Sequence, residues 1–256
     1  MIRVQNLTFS YPGQTPIFQG YDWEVRHGQT WAILGSSGCG KTTLLYLLSG
    51  LLRPASGIIE VDGSSLSRPR PRTGLILQDY GLLPWASVRQ NTELGLRVRD
   101  FYGPDGTHTP RDHISLSDVR MWLERLGIND LADKYPGQIS GGQKQRVAIA
   151  RTLALKPDLL LMDEPFSSLD AVNREDLQSL ALELCHEEGI TLVMITHSIE
   201  EALRMGQYIL VLGPPPNSAK HIFHNPGAGD PQARSRSEYP ALFQRLRDQM
   251  DHEIPA

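Results

Sequence analysis

Apolar and polar residues alternate along the first third of the chain in a pattern that predicts β-strands separated by turns. The predicted strands cover residues 2–11, 18–26, 30–34 and 58–61. A helical pattern interrupts them after Lys41, because four leucines between residues 44 and 48 share one broad face, and it stops near Gly50. The opening of the chain is therefore predicted to be mostly strand, with a helix inserted.

Beyond this region, helical and strand patterns alternate. The spacing predicts helices at residues 119–126, 145–155, 171–187 and 199–205, and strands at residues 159–162, 191–196 and 208–212. Residues 100–115 are polar and are expected to form an exposed loop. Alternation of strand and helix implies crossover connections, so we predict an α/β fold with a mainly parallel sheet.

Composition and charge narrow the class of protein. The chain has 256 residues, with 25 Lys and Arg against 29 Asp and Glu, and this net charge of −4 disfavours a protein that mainly grips nucleic acid. Its two cysteines fit neither a disulfide framework nor a zinc site and indicate a reducing compartment. We find no membrane span and no signal peptide, so we expect a cytosolic globular protein that reaches membranes only through partners.

A glycine-rich segment follows the third predicted strand and matches the phosphate-loop pattern G-x-x-x-x-G-K-[ST]. It consists of Gly35, Ser36, Ser37, Gly38, Cys39, Gly40, Lys41 and Thr42. The glycines let successive N–H groups point at phosphate oxygens, and the helix that follows adds its positive end. Lys41 supplies a charge for the β- and γ-phosphates, and Thr42 supplies a hydroxyl for Mg²⁺. An ordinary glycine-rich turn is the alternative, and the strand–loop–helix context disfavours it.

Polar residues follow three further apolar strands. Asp163 and Glu164 follow one such run, Gln78 follows a second and His197 follows a third. Because ligands bind at the carboxyl edge of parallel strands, these residues are expected to converge there. Asp163 is expected to hold Mg²⁺, Glu164 to orient or deprotonate water, Gln78 to sense Mg²⁺ or water, and His197 to bind the γ-phosphate. For each of these residues, taken alone, the alternative is a purely structural role.

A second anion-binding helix start is predicted at Ser140, Gly141, Gly142 and Gln143. One ATP already has its own phosphate loop, so this second motif suggests a nucleotide held between two copies of the protein. The alternative is an ordinary serine N-cap with a glycine turn.

These elements, in this order, resemble the ATP-binding cassette (ABC) family, over roughly residues 2–215. The resemblance implies that Tyr11 stacks on adenine, that Gly35 to Thr43 form the Walker A loop and that Gln78 is the glutamine of the Q-loop. It implies that Ser140 to Gln143 form the signature motif, that Asp163 belongs to Walker B and that Glu164 is the catalytic base. Residues 168–170 would form the D-loop, and His197 would be the switch histidine. Ile139 replaces the usual Leu of the signature motif, which is a conservative change.

The family also implies an architecture. It predicts a P-loop NTPase-like core with an N-terminal antiparallel β subdomain and an inserted helical subdomain. On this chain they fall within an ATPase domain of residues 1–222, with the helical part at roughly residues 83–154 and a tail at residues 223–256. Within the tail, residues 231–256 are expected to be solvated, with regulation or a dimer contact as the alternative. Cys39 lies inside the phosphate loop, so alkylation is expected to block ATP binding unless the thiol is too buried to react.

A closer likeness is to importers of nitrate, sulfonates, taurine and thiamine precursors, and it rests on Leu82 to Trp85 and on segments at residues 198–203 and 210–214. It implies ATP and Mg²⁺ as ligands, a homodimer, and a permease docked near Leu82 to Trp85 unless that run is core. It further implies a secreted or periplasmic solute-binding protein and a position on the cytoplasmic face of the membrane. Residues 216–218 depart from the expected Pro-Gly turn. The alternative is a non-transport ABC ATPase that acts on nucleic acid.

Overall fold

The computed structural model describes residues 1–102, 116–167 and 169–252, and over these ranges it contains ten strands and seven α-helices. The strands are β1 (Ile2–Phe9), β2 (Phe18–Val25), β3 (Thr30–Gly35), β4 (Ser56–Val61), β5 (Ser64–Ser65), β6 (Thr73–Ile76), β7 (Leu159–Asp163), β8 (Thr191–Ile195), β9 (Tyr208–Leu212) and β10 (His221–His224). The helices are α1 (Lys41–Ser49), α2 (Val88–Tyr102), α3 (Leu116–Arg125), α4 (Gly141–Leu153), α5 (Ala171–Glu187), α6 (Ile199–Met205) and α7 (Glu238–His252).

The central sheet has the strand order β10-β9-β3-β8-β7-β6. All neighbours from β9 to β6 pair in parallel, and only the edge strand β10 is antiparallel. Strands β3, β7 and β8 are buried along their whole length, which explains why they read as continuous apolar runs rather than alternating ones. Their carboxyl ends lie side by side, with Asp163 opposite Ile195, and this edge carries the site.

The two faces of the central sheet pack against different layers. Ile33, Leu161 and Val193 contact the core that α1 shares with a second, antiparallel sheet of order β2-β1-β4-β5. Their neighbours Leu34 and Leu160 point the other way, into the core formed with α2 to α7. This alternation follows from the two-residue period of a strand. The α/β class, with a mainly parallel sheet and an antiparallel sheet beside it, is confirmed.

Helices α2, α3 and α4 pack on one another between β6 and β7 in the chain order. The limits 83–154 for a helical subdomain stay a prediction. Helix α2 extends to Tyr102, so the first residues of the predicted 100–115 loop are helical, and residues 103–115 lie outside the described part of the chain. Helix α4 begins at Gly141, four residues before its predicted start, because Ser140 caps the helix and both glycines lie in its first turn.

The expectation that residues 231–256 are solvated is wrong for helix α7, the part of this segment that packs on the core. Strand β10 pairs with β9, and α7 packs on the core with Leu246 fully buried. Four partly buried neighbours share that face of α7, namely Tyr239, Leu242, Phe243 and Met250. Their spacing is that of an amphipathic helix, and the apolar face is covered by the rest of the protein. In the described residues, no helix combines the length and apolar character that a membrane crossing requires.

Candidate nucleotide site

An open cleft of about 550 Å³ lies at the carboxyl edge of the central sheet. It is lined by Tyr11, Gln14, Ile17, Gly35, Ser37, Gly38, Gly40, Lys41, Thr42, Thr43, Glu164 and His197. The fold thus brings the glycine-rich loop after β3 together with side chains that follow β7 and β8. Asp163 borders this group, since it forms a hydrogen bond with Thr42.

The glycine-rich loop has a backbone that only glycine adopts easily. Gly38 and Gly40 have φ angles of 81° and 106°, and a Cβ on Gly40 would lie 2.5 Å from Cγ2 of Ile17. Gly40 is the N-cap of α1, and it offers no side-chain hydrogen bond to the first N–H groups of that helix. The first residues of α1 line the cleft, and the first N–H groups of a helix have no partner within the helix, so this helix start suits a phosphate group.

Lys41 supplies the positive charge of the cleft. Its ammonium donates hydrogen bonds of 2.8 Å to the carbonyl oxygens of Gly35 and of Ser36, and the residue is 9% exposed. The loop therefore wraps around its own lysine, which holds the charge at the floor of the cleft. Charge-assisted hydrogen bonds from an ammonium to phosphate oxygens are strong, so this lysine suits a phosphate ligand.

The side chains of Thr42 and Asp163 bring two potential metal-ligating oxygen atoms close together. Asp163 is 8% exposed, and its burial raises the pKa of the carboxyl, while the hydrogen bond from Thr42 and the charge of Lys41 act in the opposite direction. A hydroxyl and a carboxylate are hard oxygen ligands, which Mg²⁺ prefers, and Mg²⁺ is usually shared with substrate phosphates. The pair therefore fits Mg²⁺.

Glu164 and His197 lie side by side at the cleft. Nδ1 of His197 is 3.2 Å from Oε2 of Glu164, and the side chain of His197 is 64% exposed. Glu164 has a φ of 45°, a left-handed conformation that costs free energy for a residue with a side chain. The backbone is held there by hydrogen bonds from Glu164 N to the Ile195 carbonyl and from the Ser167 hydroxyl to the Glu164 carbonyl. With the backbone in this conformation, Glu164 is one of the residues that line the cleft.

Tyr11 forms one wall of the cleft. Its ring packs edge-on against Phe9, with ring centroids 5.1 Å apart, and its hydroxyl lies 3.4 Å from the hydroxyl of Thr43. Both contacts fix the ring in place, so an aromatic face is available beside the phosphate loop.

Several predicted site residues are not part of this cleft. Ser36 and Cys39 belong to the loop but do not line the cleft. Cys39 is buried in the core, and burial raises the pKa of its thiol, so the structure favours the alternative of an unreactive cysteine. Gln78 is exposed, two residues beyond β6. Ser168 of the predicted D-loop lies outside the described residues.

The signature residues lie at the start of α4, away from the cleft of the same chain. The Ser140 hydroxyl accepts a hydrogen bond from the Gln143 N–H (3.3 Å), and the Gln143 side chain accepts one from the Ser140 N–H (2.9 Å). This capping box leaves Ser140 exposed and Gly141 and Gly142 partly exposed. The ordinary N-cap is therefore present, and it is compatible with a surface that meets another molecule.

Sequence reasoning missed a link between α4 and the segment after Gln78. The guanidinium of Arg151 donates to the carbonyl oxygens of Tyr80 (2.7 Å) and Gly81 (2.6 Å), and burial lowers its pKa. It also missed Asn217, whose side-chain amide donates to the Cys39 carbonyl. No local motif marks Arg151, whereas Asn217 falls within the departure at residues 216–218. The fold and the cleft together define a P-loop nucleotide hydrolase.

Comparisons with known proteins identify its family. The family model described as ABC transporter matches residues 18–167. The chain is 38% identical to the taurine import ATP-binding protein TauB of Jannaschia sp. (strain CCS1), over 90% of this chain and 83% of that one. It is 42% identical to the nitrate import ATP-binding protein NrtC of Synechococcus elongatus, over 78% of this chain but only 29% of the longer relative.

Solved structures agree. The ATP-binding cassette MJ0796, in a dimeric post-hydrolysis state bound to ADP and Pi, superposes with a TM-score of 0.74 and 27% identity, over 89% of this chain and 100% of that one. The protein cbiO1 of Clostridium perfringens, part of the ABC transporter complex cbiONQ, superposes with a TM-score of 0.75 and 28% identity. The match covers 96% of this chain and 98% of that one. The chain belongs to the ABC transporter family, and it is an ATP-hydrolysing subunit of the importer type.

Proposed function

We propose that two copies of this chain close head to tail on two Mg-ATP and that this closure drives uptake of a small solute through a permease. The observation that carries the proposal is the convergence of Lys41, Thr42, Asp163, Glu164 and His197 at one sheet edge. In the proposed complex the N–H groups of the glycine loop and the Lys41 ammonium bind the phosphates, and Tyr11 stacks on adenine.

Thr42 and Asp163 are the proposed protein ligands of Mg²⁺, with Gln78 as a further contact. Bound Mg²⁺ neutralises negative charge on the phosphates during transfer to water. Glu164 accepts a proton from the attacking water, and His197, which touches Glu164 at 3.2 Å, holds that carboxylate in place and reaches the γ-phosphate. Both side chains line the cleft, which supports these proposed roles.

The proposed dimer rests on the signature motif. Because Ser140, Gly141 and Gly142 are accessible but do not line the cleft of their own chain, we propose that they seal the nucleotide of a second copy. The similar cassette MJ0796 with ADP and Pi is described as dimeric, which supports this arrangement. Light scattering of the Glu164→Gln variant tests it: Mg-ATP should convert monomer to dimer, and a persistent monomer at saturating nucleotide would contradict it.

The permease is proposed to dock near Leu82 to Trp85. Leu82 packs against the core, as the alternative for this run expects, whereas Trp85 is 73% exposed, which supports Trp85 as the proposed contact residue. The buried side chain of Asn91 fixes the turn, since it accepts from Leu83 N–H (2.8 Å) and donates to the carbonyl oxygen of Ala86 (2.9 Å). A large apolar side chain held outward by a rigid turn is typical of a contact residue.

Trp85→Ala tests the docking surface, with Ile222→Ala as the control at another exposed apolar residue, 42% exposed on β10. Each variant is co-expressed with the permease whose gene lies nearest to the gene of this chain. The Trp85 variant should no longer co-purify with that permease or support solute uptake, while the purified subunit keeps its ATPase rate. Equal co-purification of both variants would contradict this docking site.

The proposed solute is a small one of the nitrate, sulfonate, taurine or thiamine-precursor type. A secreted or periplasmic binding protein would deliver it, and the chain would sit on the cytoplasmic face through its permease. Relatives named for taurine and nitrate import support this class. Salt-dependent binding of DNA or RNA would instead favour the nucleic-acid alternative.

A further inference from the structure

Asn217 connects the loop after β9 to the phosphate loop. The residue is 4% exposed, and its amide nitrogen donates to the carbonyl oxygen of Cys39 (2.8 Å) and, at longer range, to that of Ile17 (3.2 Å). The shorter of these two hydrogen bonds reaches the phosphate loop itself. A glycine at this position, as in the turn expected here, would have no side chain to make either bond.

The loop that carries Asn217 does not need this side chain for its own attachment. The backbone N–H of Asn217 donates to the Ile17 carbonyl (2.8 Å), and its carbonyl accepts from the N–H of Gln19 (3.0 Å). These two backbone hydrogen bonds would survive truncation of the side chain. The side-chain bond to Cys39 is therefore a separate contact, and its effect falls on the phosphate loop.

The geometry of a peptide unit gives this contact a consequence. The peptide between Cys39 and Gly40 is planar and trans, so the Cys39 carbonyl and the Gly40 N–H point in opposite directions. Asn217 does not line the cleft, whereas Gly40 does. A carbonyl held toward Asn217 therefore directs the Gly40 N–H away from Asn217, at a residue that itself lines the cleft.

This peptide unit needs an external restraint. Gly40 has a φ of 106° and no Cβ, so the plane before it can rotate at small steric cost. We infer that Asn217 is a positioning residue of the phosphate loop, which fixes the Cys39–Gly40 peptide so that the Gly40 N–H meets a phosphate oxygen. This inference rests on the proposed binding of ATP in the cleft.

The test compares Asn217→Ala with a matched control, Asn225→Ala. Asn225 is 5% exposed, and its amide donates to the carbonyl oxygens of Leu203 (2.7 Å) and Gly206 (2.8 Å), away from the cleft. Both variants lose the same kind of buried hydrogen bonds and should show similar falls in Tm. Calorimetric titration with ATP should show about 5- to 30-fold weaker binding for Asn217→Ala only. KM should rise while kcat stays close to that of the wild type, because Glu164 and His197 are untouched.

A second variant, Asn217→Asp, keeps the size of the side chain but has no N–H donor, and its carboxylate would repel the Cys39 carbonyl. It should weaken ATP binding at least as much as Asn217→Ala. If both Asn217 variants bind ATP with wild-type affinity, or if Asn225→Ala loses as much ATP affinity, the inference is overturned and the proposed function is left standing. A wild-type protein that does not bind ATP would instead contradict the proposed function, and the inference with it.

Discussion

Replacement of Glu164 by glutamine tests the chemistry of the cleft most directly. Glutamine has the shape of glutamate and keeps one acceptor oxygen, so the left-handed backbone and the neighbouring His197 are undisturbed. The change removes the charge, and with it the group that accepts a proton. Binding of ATP depends on the phosphate loop and Lys41, and it should therefore remain.

The expected loss follows from the value of a positioned base, about 10²- to 10⁴-fold in turnover, which corresponds to about 2.7–5.4 kcal/mol of barrier. His197 should share in this effect, since its Nδ1 lies 3.2 Å from Glu164 Oε2. Residues in direct contact are coupled, so His197→Ala should slow the wild type much more than it slows Glu164→Gln.

The assay is phosphate release at saturating Mg-ATP, with ATP affinity measured by calorimetry on the same samples. Glu124→Gln is the matched control, because Glu124 pairs with Arg120 on the surface of α3 and does not line the cleft. Near-normal turnover of Glu164→Gln would refute the assignment of Glu164 as the base. Additive effects of the Glu164 and His197 changes would refute their functional contact.

Three further outcomes are expected. Lys41→Ala should abolish ATP binding in calorimetry, because the cleft loses its ammonium, and an unchanged affinity would count against the phosphate-loop assignment. Leu246→Ala should lower the free energy of unfolding by about 2–5 kcal/mol in denaturant titrations, because this leucine is fully buried, and a negligible change would mean that α7 does not pack on the core. Burial raises the pKa of Glu201, so its neutral form is favoured in the folded state and its contribution to stability is lost as pH rises through that pKa. Thermal melts of the wild type and Glu201→Gln should therefore differ in their pH dependence, and parallel curves would contradict this.

Much of the central sheet was predictable because its strands are buried on both faces. A strand in that position needs apolar residues throughout, and β7, β8 and β9 are such runs with turns at each end. The helix at residues 171–187 was predicted to the residue. Strand β10 was missed because its four residues, His221–His224, are half exposed and antiparallel at an edge, and they show no such run.

The chemistry of the cleft was predictable where it depends on local order along the chain. A phosphate loop is continuous, and its glycines, lysine and threonine are recognisable from spacing because adjacent N–H groups must turn toward one ligand. Asp163, Glu164 and His197 were predictable because parallel strands end at a common edge. Gln78 was expected at this edge by the same rule, and it lies exposed two residues beyond β6 without lining the cleft, so its contact with Mg²⁺ stays a proposal.

The sequence by itself thus determined the fold class, the phosphate loop and the identity of the residues at its edge, since these follow from periodicity and from short motifs. Only the tertiary structure decided that the C-terminal helix is packed on the core, that Cys39 is buried, that Trp85 is held outward and that Asn217 reaches the phosphate loop. Each of these depends on contacts between segments far apart in the chain, as in the 178 residues that separate Cys39 from Asn217. A local pattern does not specify the partner in such a contact, because the energy that selects the partner comes from burial and hydrogen bonding in the completed fold.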